Sequence, residues 1–401
     1  MMRIKNIFCP GTYTAAKAKI NFKSRILLQG AGIKMETQKF DRVASIDALR
    51  GFDMLWIIGG DMIIHALKDY TGWGWAVWFS NQLTHVDWNG FHLYDLVFPL
   101  FLFLSGAAMP FSITKQLEKG VPKKLIYRKV IIRTLMLILL GVIYNGPGDW
   151  KLANVRFASV LAQIGIAYCF AAFIFLNTSW KQQIYWVIGI LIGYWGIQSL
   201  IPVPGYPNGN FTLEGSINAF IDRMLVPGKL YLGVHDPEGL LVKIPATATA
   251  LLGVLTGSFI KNNKQTPVMK SAIMFAAGII FLAFASIWNF VLPINKNLWT
   301  SSFVFQTAGW SLLLLSVFYF LIDAIGYKKW AFFFVVIGMN SITIYLASNV
   351  VDFGYTIKHI FGGFISFFNV GLQPIIFWLF IVMIKWVLLD FLYRRKIFLR
   401  V

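Results

Sequence analysis

Residues 91–113 read F-H-L-Y-D-L-V-F-P-L-F-L-F-L-S-G-A-A-M-P-F-S-I, and from Leu96 to Ile113 the run holds no charged side chain. An apolar helix of this length spans a bilayer. Outward from it, comparable runs of about 17 to 25 residues recur along the chain. They fall at 46–67, 130–145, 157–176, 184–201, 244–260, 271–292, 303–325, 331–350 and 372–393. Hydrophobic residues make up 57% of the 401 positions and charged residues 13%, about half the charge of a soluble domain. The expected fold is therefore all-α: a polytopic membrane helix bundle of about ten transmembrane helices in contact with the lipid bilayer.

The net charge of +19 raises nucleic acid as a partner, but the map of the charges argues against it. Lys115, Lys119, Lys123, Lys124, Arg128 and Lys129 fall around one connection, and Lys261, Lys264 and Lys270 around another. Lys328 and Lys329 mark a third, and Arg394, Arg395, Lys396 and Arg400 end the chain. The alternate connections at 68–90, 146–156, 202–243, 293–302 and 351–371 are poorer in basic residues for their length. Positive loops stay cytoplasmic, so the alternation predicts both termini inside and the 68–90 segment outside. Residues 1–40 form a basic tail, with Met35 as an alternative start, ahead of a single membrane domain over 41–401. Cys9 and Cys169 make no disulfide framework, and the histidines show no metal-ligand spacing, so no metal is expected.

A charge at mid-bilayer costs about 2.5–3.5 kcal/mol, so each intramembrane charge needs a reason. At about 100° per residue, Asp47, Arg50, Met54, Asp61 and His65 share one stripe of the first helix, which must face the bundle interior. Asp47 and Arg50 stand one turn apart and can pair as an internal lock. Asp61 and His65 lack a local cation and favour a site role, whereas Asp53 falls off the stripe. Asp95 enters the second helix beside Pro99. Lys385 and Asp390 lie where snorkelling explains them.

Between the first two helices, Trp73, Trp75 and Trp78 fit an interfacial belt. The next stretch, T-H-V-D-W-N-G, is different: His85 lies among Asp87, Trp88 and Asn89 at a membrane entry, where an imidazole can act as a proton acceptor. A solvated loop histidine is the blander alternative. The later outer loops bring His235, Asp236, Glu238 and Lys243, then Asn295, Lys296 and Asn297. Arg156 and Gln163 stand at the entry of the fourth run, and Asn340 lies in the ninth.

At these residues the chain resembles the heparan-α-glucosaminide N-acetyltransferase family in its bacterial form. The resemblance runs in order through S-I-D-A-L-R-G-F-D-M (Ser45 to Met54), H-V-D-W-N-G-F-H-L-Y-D-L-V-F-P (His85 to Pro99) and V-R-F-A-S-V-L-A-Q-I-G (Val155 to Gly165). It continues through D-P-E-G-L-L (Asp236 to Leu241), N-K-N-L-W-T-S (Asn295 to Ser301) and G-M-N-S-I (Gly338 to Ile342). The resemblance implies acetyl transfer from cytoplasmic acetyl-CoA, as co-substrate, to an amino-sugar acceptor on the far side of a bacterial inner membrane. It implies that His85, in H-x-x-W-N-G, is the active histidine, either as base for direct attack or as an acetylated nucleophile. Mammalian members carry Asn at the position of Asp61, which here could orient or charge-stabilise the imidazole. Arg50, Arg156, Lys243 and Lys296 are the candidate cations for the CoA phosphates. An amino-sugar transporter and an O-acetyltransferase of a surface polysaccharide are the alternatives. The sequence leaves the oligomeric state open, a homo-oligomer included.

Overall fold

A computed structural model describes residues 43–146 and 151–399 of the chain. The N-terminal tail with Met35, and Arg400, lie outside the described residues. A helix covers each of the ten apolar runs. The first is divided into α1 (Ala44–Leu55) and α2 (Asp61–Thr71) by a π-turn at Trp56–Gly60. A short α3 (Gly74–Gln82) follows, then a 3₁₀ turn at Leu93–Leu96 that leads into α4 (Val97–Glu118). Next come α5 (Lys123–Tyr144), α6 (Val160–Asn177), α7 (Trp180–Leu200) and the short α8 (Ile217–Leu225). They are followed by α9 (Lys243–Lys261), α10 (Pro267–Trp288) and α11 (Ser301–Tyr319), which a π-turn extends to Ala324. The chain closes with α12 (Phe332–Met339), α13 (Ser341–Val350), α14 (Phe353–Ile365) and α15 (Gln373–Arg394).

Among the described residues, six helical stretches are long and apolar enough to cross a membrane: Leu93–Glu118, α6, α9, α10, Ser301–Ala324 and α15. The pair α12 and α13, bent by 69°, makes a seventh if it is one span. The first helix and α5 carry several charged groups, and α7 is rich in Trp, Tyr and Gln, so these three fall short of the same standard. The connections at 68–90, 202–243 and 351–371 are not plain loops, because α3, α8 and α14 fold within them. Lys123 to Lys129 likewise lie on α5 rather than in a loop, and Lys270 is buried on α10, where it donates to the Ile260 carbonyl at 2.6 Å.

Contacts sort the connections into two ends. Lys261 pairs with Glu118 at 3.3 Å, and the Ser45 amide donates to Asp323 at 3.1 Å, so the chain segments flanking the basic connections meet. At the opposite end the 84–95, 151–158, 211–240 and 293–300 segments bond to one another, and Asn145 donates to the Arg156 carbonyl. Between the ends, close packing depends on small residues. A Cβ at Gly106, Gly253 or Gly257 would overlap backbone of the facing helix in the α4–α9 pair. Gly51 and Gly338 bring α1 and α12 equally close. Without a solvent drive between helices, such backbone approach is what membrane packing uses.

The break in the first helix repositions its charges. Gly59 has φ 122°, a conformation natural to glycine, so the helical phase changes between Met54 and Asp61. The single stripe from Asp47 to His65 therefore does not hold. Asp47 and Arg50 do pair, at 3.3 Å, near the start of α1. Lys385 does not snorkel: it is 7% exposed and donates to the Ile58 carbonyl at 3.0 Å, a backbone group that the break releases. Asp390 takes Arg394 one turn on, at 2.6 Å.

Candidate active site

His85 lies in the segment between α3 and the 3₁₀ turn at Leu93–Leu96. The 3₁₀ turn at Leu93–Leu96 folds Asp95 against it, and Asp95 Oδ2 accepts the His92 amide at 3.0 Å and the Val86 amide at 3.5 Å. Asp95 Oδ1 is 2.7 Å from His85 Nδ1. A carboxylate only accepts, so in the neutral ring Nδ1 carries the hydrogen and Nε2 the lone pair. The Asp95 side chain is fully buried while the His85 side chain is half exposed, which anchors one edge of the ring and presents the other. The Tyr94 ring packs against the imidazole with centroids 4.8 Å apart.

Lys296 arrives from the loop between α10 and α11. Its Nζ is 3.0 Å from both ring nitrogens of His85 and 3.6 Å from Asp95 Oδ1. Burial pushes the Lys296 ammonium below the ordinary lysine range, with Asp95 and Glu238 pulling the other way. The loop is held by its own side chains. Asn295 Oδ1 accepts the Leu298 amide at 2.8 Å, Thr300 Oγ1 donates to the Pro293 carbonyl at 2.8 Å, and Trp299 is buried in a left-handed conformation, φ 48°. Such a backbone is uncommon for a bulky residue and persists only under tight packing, here between Phe98 and Phe303. Asn295 also donates to Asn89 Oδ1 at 3.0 Å, and the Gly90 amide donates to the Ile294 carbonyl at 2.8 Å, which ties the His85 segment to the Lys296 loop.

Behind this pair stands a charged clasp. Arg156 donates to both oxygens of Asp236, at 2.8 and 2.7 Å, and to Glu238, and its guanidinium covers the Tyr231 ring. An isolated bridge to Gly228 fixes the Arg156 backbone. Burial opposes ionisation of Asp236, but the Arg156 bonds and charge outweigh it and hold the carboxyl below the usual range. Burial raises Glu238, only partly offset by Arg156. His235 is enclosed between Asp222 at 2.9 Å and the Asn297 carbonyl at 2.9 Å, and Trp88 packs edge-on to it while donating to the Phe211 carbonyl. Lys243 donates to the Glu238 and Gly239 carbonyls.

The structure thus brings together His85, Trp88, Asn89, Asp95, Arg156, Asp236, Glu238, Lys243, Asn295, Lys296 and Asn297. Asp61 reaches the site only indirectly, accepting from the Tyr94 hydroxyl at 3.1 Å, so the carboxylate on His85 is Asp95. His65 turns to Ser80 instead, at 2.7 Å. Asp87 is exposed and forms no hydrogen bond or ion pair among the described residues. Gln163 is buried in α6, with neither amide atom bonded among the described residues. Asp47 and Arg50 stay at the far end of α1, and Asn340 lies at the α12–α13 bend, donating to the Ile397 carbonyl at 3.2 Å. Sequence reasoning missed Tyr94 and Asp222. Tyr94 stood beside Asp95 in F-H-L-Y-D, but nothing marked Asp222 before α8 placed it against His235.

The clasp has a measurable weight. Arg156→Ala leaves two buried carboxylates without their cation, an arrangement that costs about 3–5 kcal/mol. A markedly lowered melting temperature in detergent is expected, partly recovered at acidic pH where the orphaned carboxylates take up protons. A melting temperature equal to wild type would show that the clasp is not structural.

Residues 42–214 match a domain family described only as a domain of unknown function, DUF5009. The chain is similar to human heparan-α-glucosaminide N-acetyltransferase, 28% identical over 78% of its own length, and to the mouse protein of the same name at the same identity and coverage. It spans about half the length of these relatives, 53% of the human and 54% of the mouse protein.

Proposed function

We propose that this chain is a transmembrane acetyltransferase, moving acetyl from acetyl-CoA on its lysine-rich side to the amino group of a glucosamine-type sugar at the opposite, outer end. The observation that carries the reading is His85 itself, with Nδ1 clamped by a buried carboxylate and Nε2 presented outward. Similarity to proteins named for the same transfer supports it. Transport alone would not require such a base at the outer end.

In direct transfer, the sugar nitrogen attacks the thioester carbonyl carbon while His85 Nε2 removes the amine proton. When the intermediate collapses, the C–S bond breaks, its electrons go to sulfur, and the imidazolium returns the proton to the thiolate. In the covalent route Nε2 bonds to the thioester carbonyl carbon and the C–S bond breaks with its electrons on sulfur. The sugar nitrogen then attacks the acetyl carbon, the bond to Nε2 breaks with its electrons on nitrogen, and Nε2 takes up the amine proton. Asp95 orients the ring in both. Of the four cations considered for the CoA phosphates, Arg156 is committed to Asp236 and Glu238, Lys243 to two carbonyls and Lys296 to His85. Arg50 is itself paired with Asp47, but it lies at the lysine-rich end, the position that suits a cytoplasmic nucleotide. An inner membrane of a bacterium is the location this reading implies.

Purified protein incubated with labelled acetyl-CoA and glucosamine should put label on the sugar. Uptake of unmodified glucosamine into proteoliposomes, without acetyl-CoA and without acetylation, would favour the transporter instead.

A further inference from the structure

Lys296 stands 3.0 Å from both nitrogens of the His85 ring. The two nitrogens flank one ring carbon, so a point this near and equally distant from both cannot lie in the ring plane without overlapping that carbon. The ammonium therefore sits over the ring face. The Nε2 lone pair, which lies in the plane, stays open, and no other group bonds to it among the described residues. A cation poised over the face of a base, beside its free lone pair, is next to where the reacting carbonyl must come.

We propose that Lys296 is a catalytic residue, the electrophile that meets the carbonyl oxygen of the acyl donor as His85 works on the same centre, and not a partner for the CoA phosphates. The proposal rests on the acetyltransferase reading. When the nucleophile bonds to the carbonyl carbon, the π pair moves onto oxygen, and the Lys296 ammonium faces that oxyanion without surrendering its proton. As the pair returns, the C–S bond breaks and sulfur leaves with its electrons. The same oxygen becomes charged whether the amine or His85 Nε2 attacks, so the role is common to both routes.

Three features equip Lys296 for this. Its loop is fixed by Asn295, Trp299 and Thr300, so the charge is preorganised. Asp95, fully buried, holds it at 3.6 Å, while Glu238 adds negative potential from the clasp. Its fellow cations Arg156 and Lys243 are spent on carboxylates and carbonyls, which leaves Lys296 as the cation on His85.

The test compares wild type, Lys296→Met and Lys296→Arg, each with acetyl-CoA and with 3′-dephospho-acetyl-CoA. Lys296→Met should lower kcat by about 10²–10³-fold, the loss typical of removing one oxyanion donor, with donor KM nearly unchanged. Lys296→Arg should retain a substantial part of kcat. Burial weakens the hold of Lys296 on its proton, so the wild-type rate should fall on the alkaline side at a pH below the ordinary lysine range. The groups facing Lys296 there are His85, Asp95 and Glu238. Lys296→Arg, charged throughout, should remove that alkaline limb. A raised KM for acetyl-CoA, with kcat intact and no preference left for the 3′-phosphate, would overturn the proposal in favour of phosphate binding. A Lys296→Met enzyme with wild-type kcat and KM would overturn it outright. If wild type transfers no acetyl, the acetyltransferase reading falls and this inference falls with it.

Discussion

His85→Ala is expected to lower acetyl transfer by about 10²–10⁴-fold while leaving the protein folded. The ring is half exposed, and its contacts are Asp95, Lys296 and the Tyr94 face, so its removal opens no core cavity. In the proposed function the lost group is the acceptor of the amine proton in one route and the nucleophile in the other. Both roles need the Nε2 lone pair, which alanine lacks. Acetyl-CoA affinity, measured on the same preparation, should change little. A variant that keeps a tenth of wild-type turnover would remove His85 from the chemistry. Recovery of acetyl on wild-type His85 after brief exposure to donor alone would select the covalent route.

The second large effect is expected at Asp95, where the isosteric change Asp95→Asn is the informative one. The carboxylate accepts on both oxygens, Oδ1 from His85 Nδ1 and Oδ2 from the His92 and Val86 amides. An amide has one acceptor. If its oxygen stays on His85, its NH₂ faces two backbone donors, and a buried donor left unmatched costs about 1–3 kcal/mol. If it turns its oxygen to those amides, its NH₂ donates to Nδ1 and moves the ring hydrogen to Nε2, the atom that has to react. The second arrangement keeps more bonds, so the variant should fold but hold His85 in the unproductive tautomer. A loss on the order of 10²–10⁴-fold in kcat follows, with little change in KM for either substrate. Near-normal turnover of a folded Asp95→Asn would show that the pairing does not set the tautomer.

Much of this arrangement is legible in the sequence, and what is not has definite physical causes. The apolar runs located the helices because their length and composition are set by the bilayer, independently of packing. The His85 segment stood out by its density of polar groups at a membrane entry. Asp95 was visible as a charge in an apolar run, but its pairing with His85 depends on the 3₁₀ turn at Leu93–Leu96, which leaves no periodic signature. The stripe linking Asp47 to His65 assumed a constant rotation per residue, and the π-turn at Trp56–Gly60 breaks that assumption. Lys385 was misread for the same reason, since its acceptor, the Ile58 carbonyl, exists only because the first helix is interrupted. Tyr94 went unnoticed because an aromatic residue on an apolar helix is ordinarily core or belt, and only the fold shows it standing between Asp61 and His85.

The central claim, that acetyl crosses from the lysine-rich end to the His85 end, is tested most directly with sealed proteoliposomes. Orientation is fixed first by labelling Val86→Cys, in a background without Cys9 and Cys169, with an impermeant thiol reagent. Labelled acetyl-CoA is then supplied only on the side opposite residue 86 and glucosamine only on the side of residue 86. Labelled N-acetylglucosamine accumulating on the side of residue 86 is the predicted result. Label on the sugar only when both substrates share one side, or unmodified glucosamine crossing the membrane, would contradict it.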